Sequence, residues 1–154
     1  MARNYELDDT DRKILALLIE DAKIPYTEVA RKVNVSGGTV HVRMARLEEL
    51  GIVKGATLKM DYPKLGYGVS AFLGIYLLKS SVYKSVADQL REIPEVVSIH
   101  FTTGAYGVFA QLVCRDTQHL RDVLYHRVQL IEGIERTETL ISLEETLNRP
   151  IQLD

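Results

Sequence analysis

Cysteine occurs once in this 154-residue chain, at Cys114, so no disulfide can form within it. Its setting in the apolar run VFAQLVCR marks a buried structural thiol and not a nucleophile. No apolar stretch approaches the ~20 residues that a membrane span needs, and the opening MARNYELDDTDRK lacks the pattern of a signal peptide. Together these features lead us to expect a cytoplasmic protein. Charge of one sign is also scarce: the net charge is −2, which argues against loose coating of a polyanion. Enzyme signatures are missing as well, with no Walker-type phosphate loop, no nucleophile elbow and no carboxylate pair in a catalytic setting. What remains is a globular composition, 46% apolar and 26% charged, long enough for one ordinary domain or two small ones.

The first part, residues 1–63, reads as three helices and a wing. LDDTDRKILALLIEDAK places Asp8 as N-cap and Leu7, Ile14, Leu15 and Leu18 on one stripe. After Pro25 and Tyr26, TEVARKV forms a short second helix with Val29, Ala30 and Val33 inward. NVS then leads into GGTVHVRMARLEEL, where Ser36 is the N-cap and Val40, Met44 and Leu47 face a core. Gly51 ends this third helix, and Ile52 can fold back on Leu47. Two short helices joined so tightly form a helix-turn-helix. GIVKGATLKMDYP, with Gly55 in its middle, predicts a two-stranded wing, and Pro63 and the glycines of KLGYG a linker.

The third helix poses a question of its own. Glycine costs roughly 1 kcal/mol against alanine inside a helix, yet Gly37 and Gly38 occupy the first turn. Residues 29–47 carry Arg31, Lys32, Arg43 and Arg46 and no acid. A helix N-terminus with exposed N–H groups holds phosphate, and glycine allows close backbone approach. Ser36, Gly37, Gly38, Thr39, Val42, Arg43 and Arg46 are therefore the candidate DNA-binding residues. Arg43 or Arg46 can pair with guanine, and Thr39 and Val42 can touch a thymine methyl.

The second part, residues 64–154, changes period to strand, helix, strand, strand, helix, strand. VSAFLGIYLLK, VVSIHFTTG, GVFAQLVCR and IERTETLISLEE are the strands; SVYKSVADQLREI and DTQHLRDVLYHRVQLI are the helices. The fold class is α+β, a winged helix-turn-helix followed by a ferredoxin-like βαββαβ domain. Helices cover only one face of such a sheet. Tyr76, Phe101 and Phe109 are assigned to the other face, which a homodimer would cover.

The motifs LDDTDRKIL, LEELGIVKGATLKMD, LGYGVSAFLGI, TTGAYGVFAQLVCRD and TETLISL, in this order and over nearly the whole chain, resemble the Lrp/AsnC family of transcriptional regulators. GTVHVR, TTGAY and TETLI are closer to its asparagine branch than to its leucine branch. The resemblance implies promoter DNA binding, often at the regulator's own promoter. It also implies homodimers that build octamers of four dimers, and a free amino acid bound between dimers. Many members carry an aspartate where this chain has Gly107, which leaves the identity of the amino acid open; asparagine is the first candidate. The expected ligand-binding residues are Thr103, Gly104, Tyr106 and Gly107 of the hairpin with Thr137, Glu138 and Thr139 of the last strand. The hairpin offers backbone N–H donors for a carboxylate.

Two other readings compete. One is a metabolite-sensing oligomeric interaction module whose helical domain binds a protein instead of DNA, which the basic stripe of residues 29–47 opposes. The other is a small ferredoxin-like enzyme, for which no motif speaks. No metal site or cofactor is expected, because Asp116, His119, Asp122 and His126 share a solvent flank without an i, i+4 histidine pair.

Overall fold

The structure, a computed structural model, describes residues 5–153. Residues 1–4 and 154, the outer ends of the two expected domains, lie outside the described residues. The chain forms two compact units, one running to Lys59 and joined by the segment from Leu147, the other Met60–Thr146.

In the first unit, Asp8 caps α1 (Asp9–Glu20) through a capping box: its carboxylate accepts from the Asp11 amide at 2.8 Å, and the Asp11 carboxylate accepts from the Asp8 amide at 3.4 Å. Pro25, extended and without an N–H, starts α2 (Tyr26–Val33) one residue earlier than the sequence reading placed it. The turn into α3 (Gly37–Glu49) uses Asn34 at φ 59°, and the Ser36 hydroxyl accepts from the Thr39 amide at 3.1 Å. At its end Gly51, at φ 69°, donates to the Glu48 carbonyl while the Ile52 amide returns to Leu47, which closes a Schellman motif. Ile14, Leu15, Val29, Ala30, Val40, Met44 and Leu47 make the core.

Two expectations change here. Residues 53–60 carry no strand, so the ladder of the expected wing is absent among the described residues. Two strands this short around Gly55 (φ 134°) have too few bonds to stand as an isolated ladder. The segment from Leu147, grouped at the sequence level with 64–154, returns to the first unit. There Leu153 packs on the core, and Lys59 Nζ donates to the Asn148 carbonyl at 2.9 Å.

The second unit runs β1 (Val69–Leu77), α4 (Tyr83–Arg91), β2 (Val96–Phe101), β3 (Val108–Cys114), α5 (Thr117–His126) and β4 (Ile134–Ile141). The sheet order is β2-β3-β1-β4, antiparallel throughout, as a ferredoxin-like unit requires. Alternation sends Ala71, Leu73, Ile75, Val108 and Leu112 to the core under α4 and α5, where Val86, Leu90, Leu120 and Val123 meet them. Cys114 lies fully buried in the same core. The register puts Phe72, Tyr76, Phe109 and Leu140 on the opposite face. Phe101 does not join them: it pairs with Val108, a core position, and its ring stacks on Tyr83 of α4 at 4.2 Å.

Candidate functional site

Within α3 the buried stripe is Val40, Met44 and Leu47, and the exposed arc opposite holds Gly38, His41, Val42 and Ala45, with Glu49 at its C-terminal end. Val42 is 70% exposed. His41 lies edge-on to Tyr26 at 4.7 Å, an orienting contact from the start of α2. Ser36 and Thr39 share a hydroxyl–hydroxyl bond of 2.8 Å at the helix N-terminus. A Cβ on Gly38 would meet nothing nearer than the Ser36 hydroxyl at 3.8 Å, and one on Gly37 would meet Thr27 at 4.0 Å. Packing inside the chain therefore does not require either glycine.

The two arginines take different positions, and only Arg43 departs from the expected outward one. Arg43 turns towards the start of α1, where its Nη1 donates to Asp8 Oδ2 at 2.6 Å and Asp11 Oδ1 at 2.8 Å. These bonds raise the guanidinium above its ordinary value, and the Arg43 bond, the largest influence on Asp8, holds that carboxyl below its own. Arg46 is exposed, with its guanidinium 4.7 Å over the Tyr5 ring. Sequence reasoning also passed over His41 and Ala45. At 100° per residue both lie on the arc facing away from Val40 and Leu47, and Arg43 sits only about 60° from the buried stripe.

In the second unit the hairpin 102–107 joins β2 to β3. The Thr102 hydroxyl donates to the Tyr106 carbonyl at 2.7 Å, Gly107 N–H donates to the Ile75 carbonyl at 2.9 Å, and Gly104 takes φ 104°. Thr103 and Gly104 are exposed at its tip. Tyr106 folds back over β1 onto Gly74, where a Cβ would come within 2.5 Å of the ring. Its hydroxyl donates to Glu138 Oε2 at 2.8 Å, and Glu138 Oε1 accepts from Tyr76 at 3.1 Å and from Arg136 at 2.9 Å. The Tyr106 bond is the largest cause that holds the Glu138 carboxyl below its ordinary range, and it pushes the Tyr106 hydroxyl up. Arg136 in turn lies 3.5 Å over the Tyr76 ring.

Of the expected ligand residues, Tyr106 and Glu138 therefore meet. Thr137 and Thr139 pair with Ile75 and Leu73 and share their face, opposite Glu138, because strand side chains alternate. A side chain at Gly107 would displace Leu77, since a Cβ would lie 2.8 Å from the Leu77 side chain. The carboxylate beside this hairpin is thus Glu138. Tyr76 was read only as a face residue and Arg136 not at all; the TET pattern opposite an aromatic strand was the available signal.

The histidine flank resolves differently from the sequence reading. His119 is not a solvent residue: its Nδ1 accepts from the Arg115 amide and its Nε2 meets Glu95 at 3.1 Å, while Asp116 caps α5. Among the described residues no three His, Cys, Asp or Glu side chains gather as metal ligands do.

Residues 7–54 match a winged helix-turn-helix DNA-binding domain, and residues 70–151 match the Lrp/AsnC ligand binding domain. The chain belongs to the Lrp/AsnC family. Among Lrp/AsnC transcriptional regulators, the regulatory protein AsnC of Haemophilus influenzae is 40% identical over 148 residues, covering 96% of this chain and 99% of that protein. AsnC of Escherichia coli is 38% identical over 149 residues, covering 97% and 98%. The solved E. coli AsnC structure superposes with a TM-score of 0.90 at 37% identity, over 96% of this chain and 99% of that one. The feast or famine regulatory protein of M. tuberculosis, solved in complex with L-methionine, gives 0.89 at 26% identity, over 97% and 100%. The helix-turn-helix of this Lrp/AsnC member is the α2–α3 pair, and its ligand-binding domain is the sheet unit that carries the hairpin. No helix among the described residues is long and apolar enough to cross a membrane.

Proposed function

We propose that this regulator binds promoter DNA sequence-specifically through the exposed face of α3 and that a free amino acid, asparagine first, modulates its assembly and DNA binding. The observation that carries the DNA reading is the pair Gly37 and Gly38, which nothing inside the chain requires, at the N-terminus of a helix whose outer arc from Gly38 to Ala45 is open and free of acids. Thr39 and Val42 would supply methyl contacts and His41 a hydrogen bond to a base edge, with Arg46 at the rim. Ser36, Gly37 and Gly38 would offer backbone N–H groups to a phosphate.

The effector reading rests on the hairpin and Glu138. An amino-acid ligand needs donors for its carboxylate and an acceptor for its ammonium. Thr103 and Gly104 lie at the exposed tip, and Glu138 is the acceptor among the candidates. The complex of the M. tuberculosis relative with L-methionine supports an amino-acid effector for this chain. The similarity to AsnC proteins supports asparagine as the first to test. The open face bearing Phe72, Tyr76, Phe109 and Leu140 supports a homodimer, and the family resemblance an octamer of four dimers. It is also the resemblance that supports a cytoplasmic, non-enzymatic role and a boundary near residue 63 between DNA-binding and effector domains.

The test is a thermal-shift screen against the twenty amino acids, followed by gel shifts on the chain's own promoter at graded salt. Stabilisation by asparagine and salt-dependent retardation that asparagine alters are the expected results. No shift of DNA at any salt would overturn the DNA reading, and no response to any amino acid would overturn the effector reading.

A further inference from the structure

The polar cluster at the start of α1 is built more completely than a capping box needs. Asp11 is the only charged residue in the buried set of the described chain, at 0% exposure. Both of its oxygens are engaged: Oδ1 accepts from Arg43 Nη1, and Oδ2 accepts from the Tyr5 hydroxyl at 2.8 Å and the Asp8 amide at 3.4 Å. Burying a carboxylate is unfavourable unless it is paired and hydrogen-bonded, and this one is both. Arg43 Nη1 also reaches Asp8 Oδ2, so a single nitrogen ties α3 to two carboxylates of the first turn of α1 and its cap. Tyr5, held by its hydroxyl, places its ring beneath Arg46.

The helical packing explains what such a tie can do. Close backbone packing joins α1 to α2 and α2 to α3. Val40, Met44 and Leu47 fix how deep α3 sits, but apolar contacts along one stripe tolerate a roll of the helix about its axis. Arg43 lies beside that stripe, so the bonds to Asp8 and Asp11 oppose such a roll. A roll of α3 would turn the arc of Gly38, His41, Val42 and Ala45 away from the groove.

We propose that Arg43 is a positioning residue for DNA recognition: the Asp8–Arg43–Asp11 clamp sets the roll of α3, and Arg43 does not read a base. The inference rests on the DNA-binding reading above and assigns its geometry. It separates cleanly from base reading, because Asp11 is fully buried and cannot touch DNA. If Arg43 read a base, removing the Asp11 charge would release its guanidinium towards the duplex and preserve or strengthen binding. If Arg43 positions α3, losing either end of the clamp has the same consequence.

The experiment compares Asp8→Asn, Asp11→Asn, Arg43→Lys and Arg43→Ala on the operator and on single-base variants of it, below the melting temperature of every protein. The clamp predicts that all four weaken binding in parallel, by roughly tenfold for Arg43→Ala, with the ranking of base variants unchanged. Loss of discrimination at one base position in Arg43→Ala, with Asp11→Asn binding as the wild type does, overturns it. Asp8→Asn keeps a good N-cap and the core, so it carries the comparison if Asp11→Asn is too unstable. Amide hydrogen exchange gives an arm independent of DNA. Exchange in α3 should quicken in Arg43→Ala and Asp8→Asn relative to α2, and unchanged exchange in α3 overturns the clamp. A wild-type chain that binds no DNA would defeat the regulator reading, while the exchange arm still decides the clamp.

Discussion

Replacing Gly74 by alanine tests how the hairpin is held to the sheet. An added Cβ would lie 2.5, 2.6 and 2.7 Å from three carbons of the Tyr106 ring. Carbon pairs prefer about 3.5–4.0 Å, so the ring must withdraw by about 1 Å. The hairpin backbone resists following it, because Gly107 N–H is bonded to the Ile75 carbonyl at 2.9 Å and Thr102 to the Tyr106 carbonyl at 2.7 Å. The ring has to swing off β1, and its hydroxyl then leaves Glu138. Overpacking of a buried position costs ~1–3 kcal/mol, and in a domain of this size each kcal/mol lowers Tm by roughly 4–8 °C. In a Tyr106→Ala background the obstacle is gone, and Gly74→Ala should cost little. Thermal melts of the four proteins of this cycle, with asparagine titrations by calorimetry, read both effects. An equal cost of Gly74→Ala with and without the Tyr106 ring would mean that the ring does not oppose the added methyl.

Three further outcomes follow from the same structure. Gly38→Leu should weaken operator binding while leaving Tm nearly unchanged, since a Cβ there meets only open space beyond Ser36; a melt lowered more than the binding would reverse this. Cys114, whose pKa burial pushes up to about 11 from 9.0, should resist iodoacetamide at pH 8 until the protein unfolds. The stability due to its neutral form is present below pH 9 and should fall as pH rises towards 11, as urea melts would show. Glu138, held below its ordinary 4.5 first by Tyr106, contributes stability that is present above that value and lost on acidification through its lowered pKa. Glu138→Gln should therefore flatten the acid limb of a stability–pH curve.

Much of this molecule was legible in order and type. Asp8, Ser36 and Gly51 marked helix ends because each end needs a particular donor, acceptor or positive φ, and those needs are local. The βαββαβ order followed from a change of period that owes nothing to distant residues. What the sequence left hidden was pairing between distant positions. Arg43 reads as an outward cation until Asp8 and Asp11, more than thirty residues away, come beside it. Phe101 falls on the helix side because the pairing of β2 with β3 shifts register between Val96 and Ser98, which alternation alone does not reveal. Thr137 and Thr139 were grouped with Glu138 by adjacency, although the pleat separates neighbours onto opposite faces. The strand ladder of the wing is missing for an energetic reason, since a glycine-centred pair of very short strands has little to hold it.

A footprint of the wild-type protein on its own promoter, at graded salt and with and without asparagine, asks at once whether the protein reads DNA as a dimer and whether an amino acid controls it. Protection should be pseudo-palindromic, with half-sites about one helical turn, or a multiple of it, apart, and its extent or midpoint should change when asparagine is added. Protection of a single asymmetric site with no response to asparagine or any other amino acid, or no protection at low salt, would contradict the proposed function.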